Sequence, residues 1–209
     1  MKFIKKSFFQ QRSKKAFSLV ELLVVLAIIG VLSSLSVIGF QKLTKNSQFK
    51  FVGRTIADQL TLGRQTALTK NCEVEVQILS YKDPEKGNRE AYRAIRLFIV
   101  GEKEKTPLGK MTSLPEKVIF SENAELSPLL TSEEIRSEET EVRGLQNVNC
   151  RLFRFHANGA TDLPVGANVK WHLTAIYEAD AEKEPQQLKY FYTFSIDPIA
   201  GTVRVYGGE

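Results

Sequence analysis

The chain has 209 residues, of which 43% are hydrophobic and 25% charged, with a formal net charge of +5. The positive charge is unevenly placed, because six basic residues and no acidic residue precede Phe17. Without that segment the count is 29 − 6 = 23 Lys and Arg against 24 Asp and Glu, which is close to neutral. The sequence pI of about 9.1 therefore reflects the N-terminus and does not indicate a nucleic-acid-binding surface.

An apolar run follows the basic segment, from residue 17 to residue 40, and Glu21 is the one charged residue in it. As a helix, this run is about 36 Å long, which is enough to cross the hydrocarbon core of a bilayer. The preceding positive charges predict a cytoplasmic N-terminus and an exported C-terminal part. A carboxylate in such a span costs about 2.5–3.5 kcal/mol, so we expect Glu21 to have a partner and a function.

An ordinary secretory signal peptide is the competing interpretation, with Ser34-Leu35-Ser36 as its cleavage site. The apolar core of a signal peptide is usually 7–15 residues long and uncharged. The run here is longer and contains Glu21, which favours a membrane span.

Three positions at the start of this run resemble the precursors of type IV pilins and pseudopilins: Ala16, Phe17 and Glu21. The resemblance implies that prepilin peptidase cleaves between Ala16 and Phe17 and that the new α-amine is then methylated. It also implies that Glu21 pairs with the α-amine of a neighbouring subunit. Two features depart from the family pattern: Ala16 stands where Gly is commoner, and no proline occurs near Gly39.

Three segments follow from this interpretation: a leader peptide (residues 1–16), a transmembrane and filament-core helix (17–40), and a periplasmic α+β domain (41–209). The last is long enough for a hydrophobic core of its own. Apolar residues continue at spacings of three and four as far as Ala67, which predicts one helix from Phe17 to Thr69 with an amphipathic second half. That stripe consists of Phe49, Val52, Ile56, Leu60, Gly63 and Ala67.

Strand-like runs follow the helix, and they are rich in β-branched and aromatic residues or alternate in polarity. They are Cys72–Ser80, Ala91–Val100, Lys117–Ser121, Cys150–His156, Val169–Tyr177, Leu188–Ile196 and Thr202–Tyr206. Residues 81–90 predict a turn, and the acidic segment 132–141 predicts a solvated loop or a short exposed helix. A long helix packed on an antiparallel sheet is an α+β fold, here a pilin-like roll.

The residues at the end of the predicted helix resemble one branch of this family. Leu60, Arg64, Ala67 and Asn71, followed directly by a strand, resemble the GspH/FimT-like pseudopilins. Later blocks, among them Trp171-His172-Leu173-Thr174, resemble the family called Verru_Chthon cassette protein D. This implies that the partners are other pilin-like subunits, contacted through the N-terminal helix in the inner membrane.

Cys72 and Cys150 could form a disulfide in an oxidising periplasm, or they could be two buried thiols. His156 and His172 lie on different predicted strands, and with the cysteines they lack the close paired spacing of zinc sites. Asp162 and Asp197 are loop carboxylates of the kind that binds calcium, but both are better explained as turn residues. We therefore expect no metal, no cofactor and no catalytic residues.

Glycines at 39, 53 and 63 either allow close helix packing or merely add flexibility. The aromatic group near the C-terminus is expected to be core and not a nucleic-acid stacking face: Trp171, Tyr177, Tyr190, Phe191, Tyr192 and Phe194. The expected function is that of a minor pseudopilin in a type II secretion or type IV pilus-like filament. The alternatives are a FimT-like minor pilin that binds DNA, for which the chain end 204–209 is poor in positive charge, and an enzyme with an unseen site.

Overall fold

A computed structural model describes residues 18–83, 87–142, 144–166 and 170–208, without the side chains of 34–48, 83, 87, 88, 146 and 208. The leader peptide and Phe17 thus lie outside the described residues. The chain divides into two compact units, one up to Lys45 and one from Asn46 onward.

The first element is the helix α1, Leu19–Lys70. Ser18 precedes it and accepts a hydrogen bond through Oγ from the backbone N–H of Glu21, at 3.2 Å, which satisfies one of the unpaired donors at the helix start. At the other end, Asn71 adopts φ 49° and Cys72 N–H donates to the carbonyl of Ala67. A left-handed Asn is a common helix terminator, so both predicted helix ends agree with the structure to within two residues.

The remaining elements, numbered in chain order, are β1 Glu73–Asp83, β2 Gly87–Val100, β3 Lys105–Pro107, β4 Thr112–Ser113, β5 Val118–Phe120, α2 Pro128–Thr131, β6 Arg136–Val142, β7 Leu145–Phe155, β8 Trp171–Tyr177, β9 Phe191–Ile196 and β10 Val203–Gly208. Two short 3₁₀ turns lie between β8 and β9. Among the described residues these strands form two antiparallel sheets. The first has the order β3-β2-β1-β7-β6 with β4 also on β2, and the second has the order β10-β9-β8-β5.

The predicted helical stripe forms the centre of the core in the larger unit. Phe49, Val52, Ile56, Leu60 and Ala67 are all at most 3% exposed. They belong to one cluster with apolar residues of both sheets, listed here by strand: Val74, Val76 and Ile78 of β1; Phe153 and Phe155 of β7; Trp171 and Leu173 of β8; Phe194 and Ile196 of β9. The predicted α+β class is confirmed, with two antiparallel sheets where the sequence predicted one.

Three strands were not foreseen: β3 and β4, which have only three and two residues, and β6. The segment 132–141, predicted as a loop or short helix, contains most of β6, which pairs with β7 from Arg136↔Leu152 onward. Most of its side chains are exposed, and it lies at the edge of its sheet. An edge strand with both faces polar lacks the alternation that marks a half-buried strand, and for this reason the pattern failed to show it.

Candidate functional site

Glu21 lies in the first turn of α1, where its side chain is exposed. The sequence Ser18-Leu19-Val20-Glu21 has the spacing of an N-terminal capping box, and the Ser18 half of that arrangement is present. Phe17 and Ala16, the two processing residues, lie outside the described residues. In sequence the carboxylate lies four residues after the expected new N-terminus, and the pairing of Glu21 with an α-amine stays a prediction.

The start of α1 has an apolar surface on every side. The large apolar side chains from Leu19 to Leu32 are all between 43% and 81% exposed. Within the part of the chain that the structure describes, no helix has a segment both long and apolar enough to cross a membrane.

The two cysteines are free thiols, with Cys150 buried and Cys72 partly exposed. Cys150 pairs in register with Leu79 of β1, seven positions after Cys72. At about 3.3 Å per strand residue this separation is roughly 23 Å, far beyond the 4.4–6.8 Å between the α-carbons of a disulfide. In the structure the two thiols are not bridged, and the alternative of two buried thiols holds for Cys150 but not for Cys72.

The histidines and loop carboxylates have ordinary partners. The ring of His172 contacts the backbone carbonyls of Lys170 and Glu125, each at 2.8 Å. Asp197 Oδ1 accepts the backbone N–H groups of Ile199 and Ala200, at 2.9 and 2.8 Å, so it is the predicted turn residue.

Asp162 has a different role from the predicted one. Its Oδ1 accepts the backbone N–H of Arg154 at 2.6 Å, and its Oδ2 forms an ion pair with Arg136. It thus ties the loop after β7 to the edge strand β6. Among the described residues, no three His, Cys, Asp or Glu side chains come together as a metal site.

Gly53 has a packing role inside this chain. A Cβ there would lie 2.7 Å from the ring of Tyr192, so the helix approaches β9 more closely than alanine would allow. At Gly63 the equivalent distance to the ring of Phe155 is an ordinary 3.4 Å. Close packing therefore accounts for Gly53 but not for Gly63, and the side-chain surroundings of Gly39 lie outside the described residues.

The aromatic group is core in part: Trp171 and Phe194 are buried, and the other four are half-buried and packed against the core. Trp171 and Phe194 are at most 1% exposed. The ring of Phe49 stacks on Tyr177 at 4.7 Å between centroids and lies 5.3 Å from Tyr192. These ring contacts pack the helix against the second sheet.

Sequence reasoning missed an ionic network on the opposite face of the first sheet. We use that name for Glu73, Glu75, Lys105 and Arg154. Glu75 is fully buried: its Oε2 accepts Arg154 Nε at 3.1 Å and Nη2 at 3.0 Å, and its Oε1 accepts Lys105 Nζ at 2.7 Å. Arg154 Nη1 also donates to Glu73 at 3.1 Å, and the ring of His156 contacts that carboxylate at 3.0 Å.

The network fixes the charge of Glu75. Burial alone would raise the pKa of this carboxyl, but hydrogen bonds from Lys105, Gln77 and Arg154 and the charge of Lys105 outweigh it, so the pKa lies below its usual value. The pKa of Arg154 is raised, because the two glutamates outweigh the effect of its burial. Glu75 and Arg154 are therefore both ionised at neutral pH.

A signal for this network was present in the sequence. The polar positions of β1 (Glu73, Glu75 and Gln77) alternate with apolar ones, which is the pattern of a half-buried strand. Arg154 alternates with Phe153 and Phe155 in the same way, and in the structure it lies directly opposite Glu75. Opposite charges that face each other on two neighbouring strands indicate a cross-strand pair. The local sequence pattern does not show which strands are neighbours, so the pair could not be predicted from it.

The comparisons with known proteins agree with the N-terminal prediction. Residues 11–37 match the family model described as the prokaryotic N-terminal methylation motif, and this range contains Ala16, Phe17 and Glu21. A comparison with curated proteins gives no significant match.

Two solved structures are similar in fold, and both are of the minor pseudopilin EpsH from the type II secretion system of Vibrio cholerae. One has a TM-score of 0.43 and 13% identity, covering 77% of this chain and 97% of that one. The other, a crystal structure, has a TM-score of 0.45 and 13% identity, covering 78% and 96%. The chain carries a prokaryotic N-terminal methylation motif ahead of an α+β domain.

Proposed function

We propose that this chain is a minor pseudopilin, a structural subunit and not an enzyme. In this proposal prepilin peptidase cleaves it before Phe17, and the new α-amine is methylated. Residues 17–40 hold it in the inner membrane with the domain from residue 41 in the periplasm. It then joins a type II secretion or type IV pilus-like filament. The observation that carries the proposal is the methylation motif at residues 11–37.

The exposed apolar surface of α1 supports this assignment. A helix that is apolar on all sides is stable in water only when other apolar groups cover it. Residues 19–32 present such a surface. In a pilin-like subunit, lipid would cover these residues before assembly. The equivalent helices of neighbouring subunits would cover them afterwards.

Glu21 is the residue proposed to direct assembly. Cleavage before Phe17 would place a positive α-amine four residues from this carboxylate. Burying either charge alone in a filament core is costly, and pairing them between subunits offsets that cost.

The proposed branch is the GspH/FimT-like one, with the cassette family named above as its narrower form. Its motif residues have clear structural roles. Leu60 and Ala67 are at most 1% exposed in the core, and Arg64 Nε donates to the backbone carbonyl of Ala200 at 2.9 Å, linking the helix to the turn before β10. These contacts position the strand that begins after Asn71.

The experiment compares Glu21→Ala with Ser18→Ala in the full chain. Loss of the carboxylate is expected to leave processing intact and to block co-isolation with other pilin-like subunits. Ser18→Ala removes the hydrogen bond to the Glu21 N–H and keeps the carboxylate, so it is the matched control and is expected to assemble. Normal incorporation of the Glu21→Ala chain would refute the proposed pairing.

A further inference from the structure

The connection between β8 and β9, residues 178–190, folds largely on itself, and we call it the strap. Its 3₁₀ turns are closed by local backbone bonds, such as the one from Ala181 N–H to the carbonyl of Glu178 at 3.2 Å. Outside the sheets, one backbone bond among the described residues links the strap to another segment: Glu178 N–H donates to the carbonyl of Lys117 at 2.8 Å. The attachment of the strap therefore depends mainly on its side chains.

Two ion pairs join the strap to β2. Glu178 Oε1 accepts Arg93 Nη2 at 2.7 Å, and Glu182 pairs with Arg89 at 3.3 Å. The side chains of Arg89 and Glu182 are 56% and 86% exposed, so this pair contributes little to stability. The pair of Arg93 and Glu178 is the stronger attachment, because the arginine side chain is 1% exposed.

The apolar attachment of the strap is small and incompletely packed. Leu188 and Ala181 of the strap belong to a satellite cluster, separate from the main core, with the following residues: Ala91, Ile119, Leu126, Ile176 and Phe191. A hollow of about 290 Å³ lies between residues 181–184 of the strap and a wall that includes Ile119 of β5. Side chains that face a hollow lose packing contacts on that side, so the strap is held less firmly than a core element.

Arg93 is buried beside Glu178 in an unfavourable state. It lies in a bulge of β2, since Leu79 is in register with Ala94 and Ser80 with Tyr92, which leaves Arg93 between them. Among the described residues, its buried Nε and Nη1 have no hydrogen-bond partner. Donors that are buried without a partner are costly, and those of a charged guanidinium are especially so. Water would satisfy both donors if the strap moved away.

We propose that the strap opens as a unit while both sheets stay folded. Segments with few buried contacts commonly open at a lower free energy than the whole domain does. Opening would expose Arg93 together with apolar side chains of the satellite cluster, such as Ala91. In the closed structure Glu178 and Leu188 of the same chain occupy that surface, so the strap is its built-in cover. This inference is independent of the N-terminal motif and of the proposed function.

The experiment measures thiol labelling of the full chain in detergent, with Cys72→Ser as background. Ala91→Cys places a thiol in the satellite cluster, where the native residue is 1% exposed. Cys150 is fully buried in a different cluster, so it reports opening of the whole domain in the same molecule. Without denaturant, the thiol at position 91 is expected to react at least about tenfold faster than Cys150.

Charge removal tests whether the strap controls this labelling. Glu178→Gln leaves the buried charge of Arg93 uncompensated in the closed form, so labelling at position 91 should rise about tenfold with little change at Cys150. Glu182→Gln makes the same change in the exposed pair on the same strap, so it is the matched control and should have no effect. Adding Arg93→Met to Glu178→Gln removes the uncompensated charge and its unpaired donors, and it should slow the labelling again.

Hydrogen exchange gives a second readout that needs no added cysteine. The Glu178 N–H, bonded to Lys117, should exchange faster than the N–H groups of β1 in the unmodified chain. Three results would overturn the inference. The first is exchange or labelling of the strap at the rate of the whole domain. The second is a rate at position 91 that Glu178→Gln leaves unchanged, since fraying at the start of β2 would then explain the labelling. The third is equal acceleration of both thiols by Glu178→Gln.

Discussion

The ionic network of Glu73, Glu75, Lys105 and Arg154 makes a quantitative prediction for Arg154→Met. This change removes both donors to Glu75 Oε2 and leaves Oε1 bound to Lys105 and Gln77. Removing one partner of a buried ion pair usually costs about 3–5 kcal/mol. Because Lys105 still compensates the charge of Glu75, we expect a loss of about 2–3 kcal/mol in the free energy of unfolding.

The assay is urea unfolding of the full chain in detergent, followed by the fluorescence of Trp171. This is the single tryptophan, and it is buried in the core of the larger unit. With a slope of about 2 kcal/mol per molar urea, the expected loss lowers the midpoint by about 1–1.5 M.

Two variants make this prediction specific. Arg54→Met removes an ion pair to Asp58 in which both side chains are at least 71% exposed, and it is expected to leave the midpoint unchanged. The double variant Glu75→Leu with Arg154→Met removes the buried charge together with its partner, so it should be more stable than Arg154→Met alone. A midpoint for Arg154→Met equal to that of the unmodified chain would refute the reasoning, as would a double variant no more stable than the single one.

The remaining predictions use the same unfolding assay and thiol labelling. The folded pKa of Glu75 is lower than its unfolded value of about 4.5, so its contribution to stability is complete above that pH and is lost as the pH falls through the folded pKa. Glu75→Leu should therefore reduce the loss of stability at acid pH. An unchanged loss in this variant would contradict the prediction. Gly53→Ala should destabilise the domain, because the new Cβ would lie 2.7 Å from an aromatic ring. Gly63→Ala should be neutral or stabilising, because its Cβ would lie 3.4 Å from the nearest ring. Equal effects of the two changes on stability would show that the close approach at Gly53 is unimportant. Cys72 should react with a maleimide in the folded chain and Cys150 only after unfolding, and a count below two thiols in the unfolded, unreduced chain would reveal a bridge.

Local signals were sufficient for the helix and the core. The three- and four-residue spacing from Phe49 to Ala67 depends only on helix geometry, and those residues are buried as the pattern predicts. Asn71 could end the helix because its side chain tolerates the left-handed conformation. For these elements, residues close in sequence carry the information.

Features that depend on strand order could not be seen in the same way. β6 is polar on both faces, and it is recognisable as a strand only through its pairing with β7. The burial of Glu75 depends on Arg154 and on Lys105, which lie 79 and 30 residues away in sequence. The separation of Cys72 from Cys150 likewise follows from the register between β1 and β7.

The most direct test of the account is the N-terminal sequence and intact mass of the protein recovered from its native membranes. The account predicts a chain that begins at methylated Phe17. A chain that begins after Ser36 would be an ordinary exported protein, and an intact Met1 would be a plain membrane anchor. Either of these results would contradict the assignment as a pseudopilin.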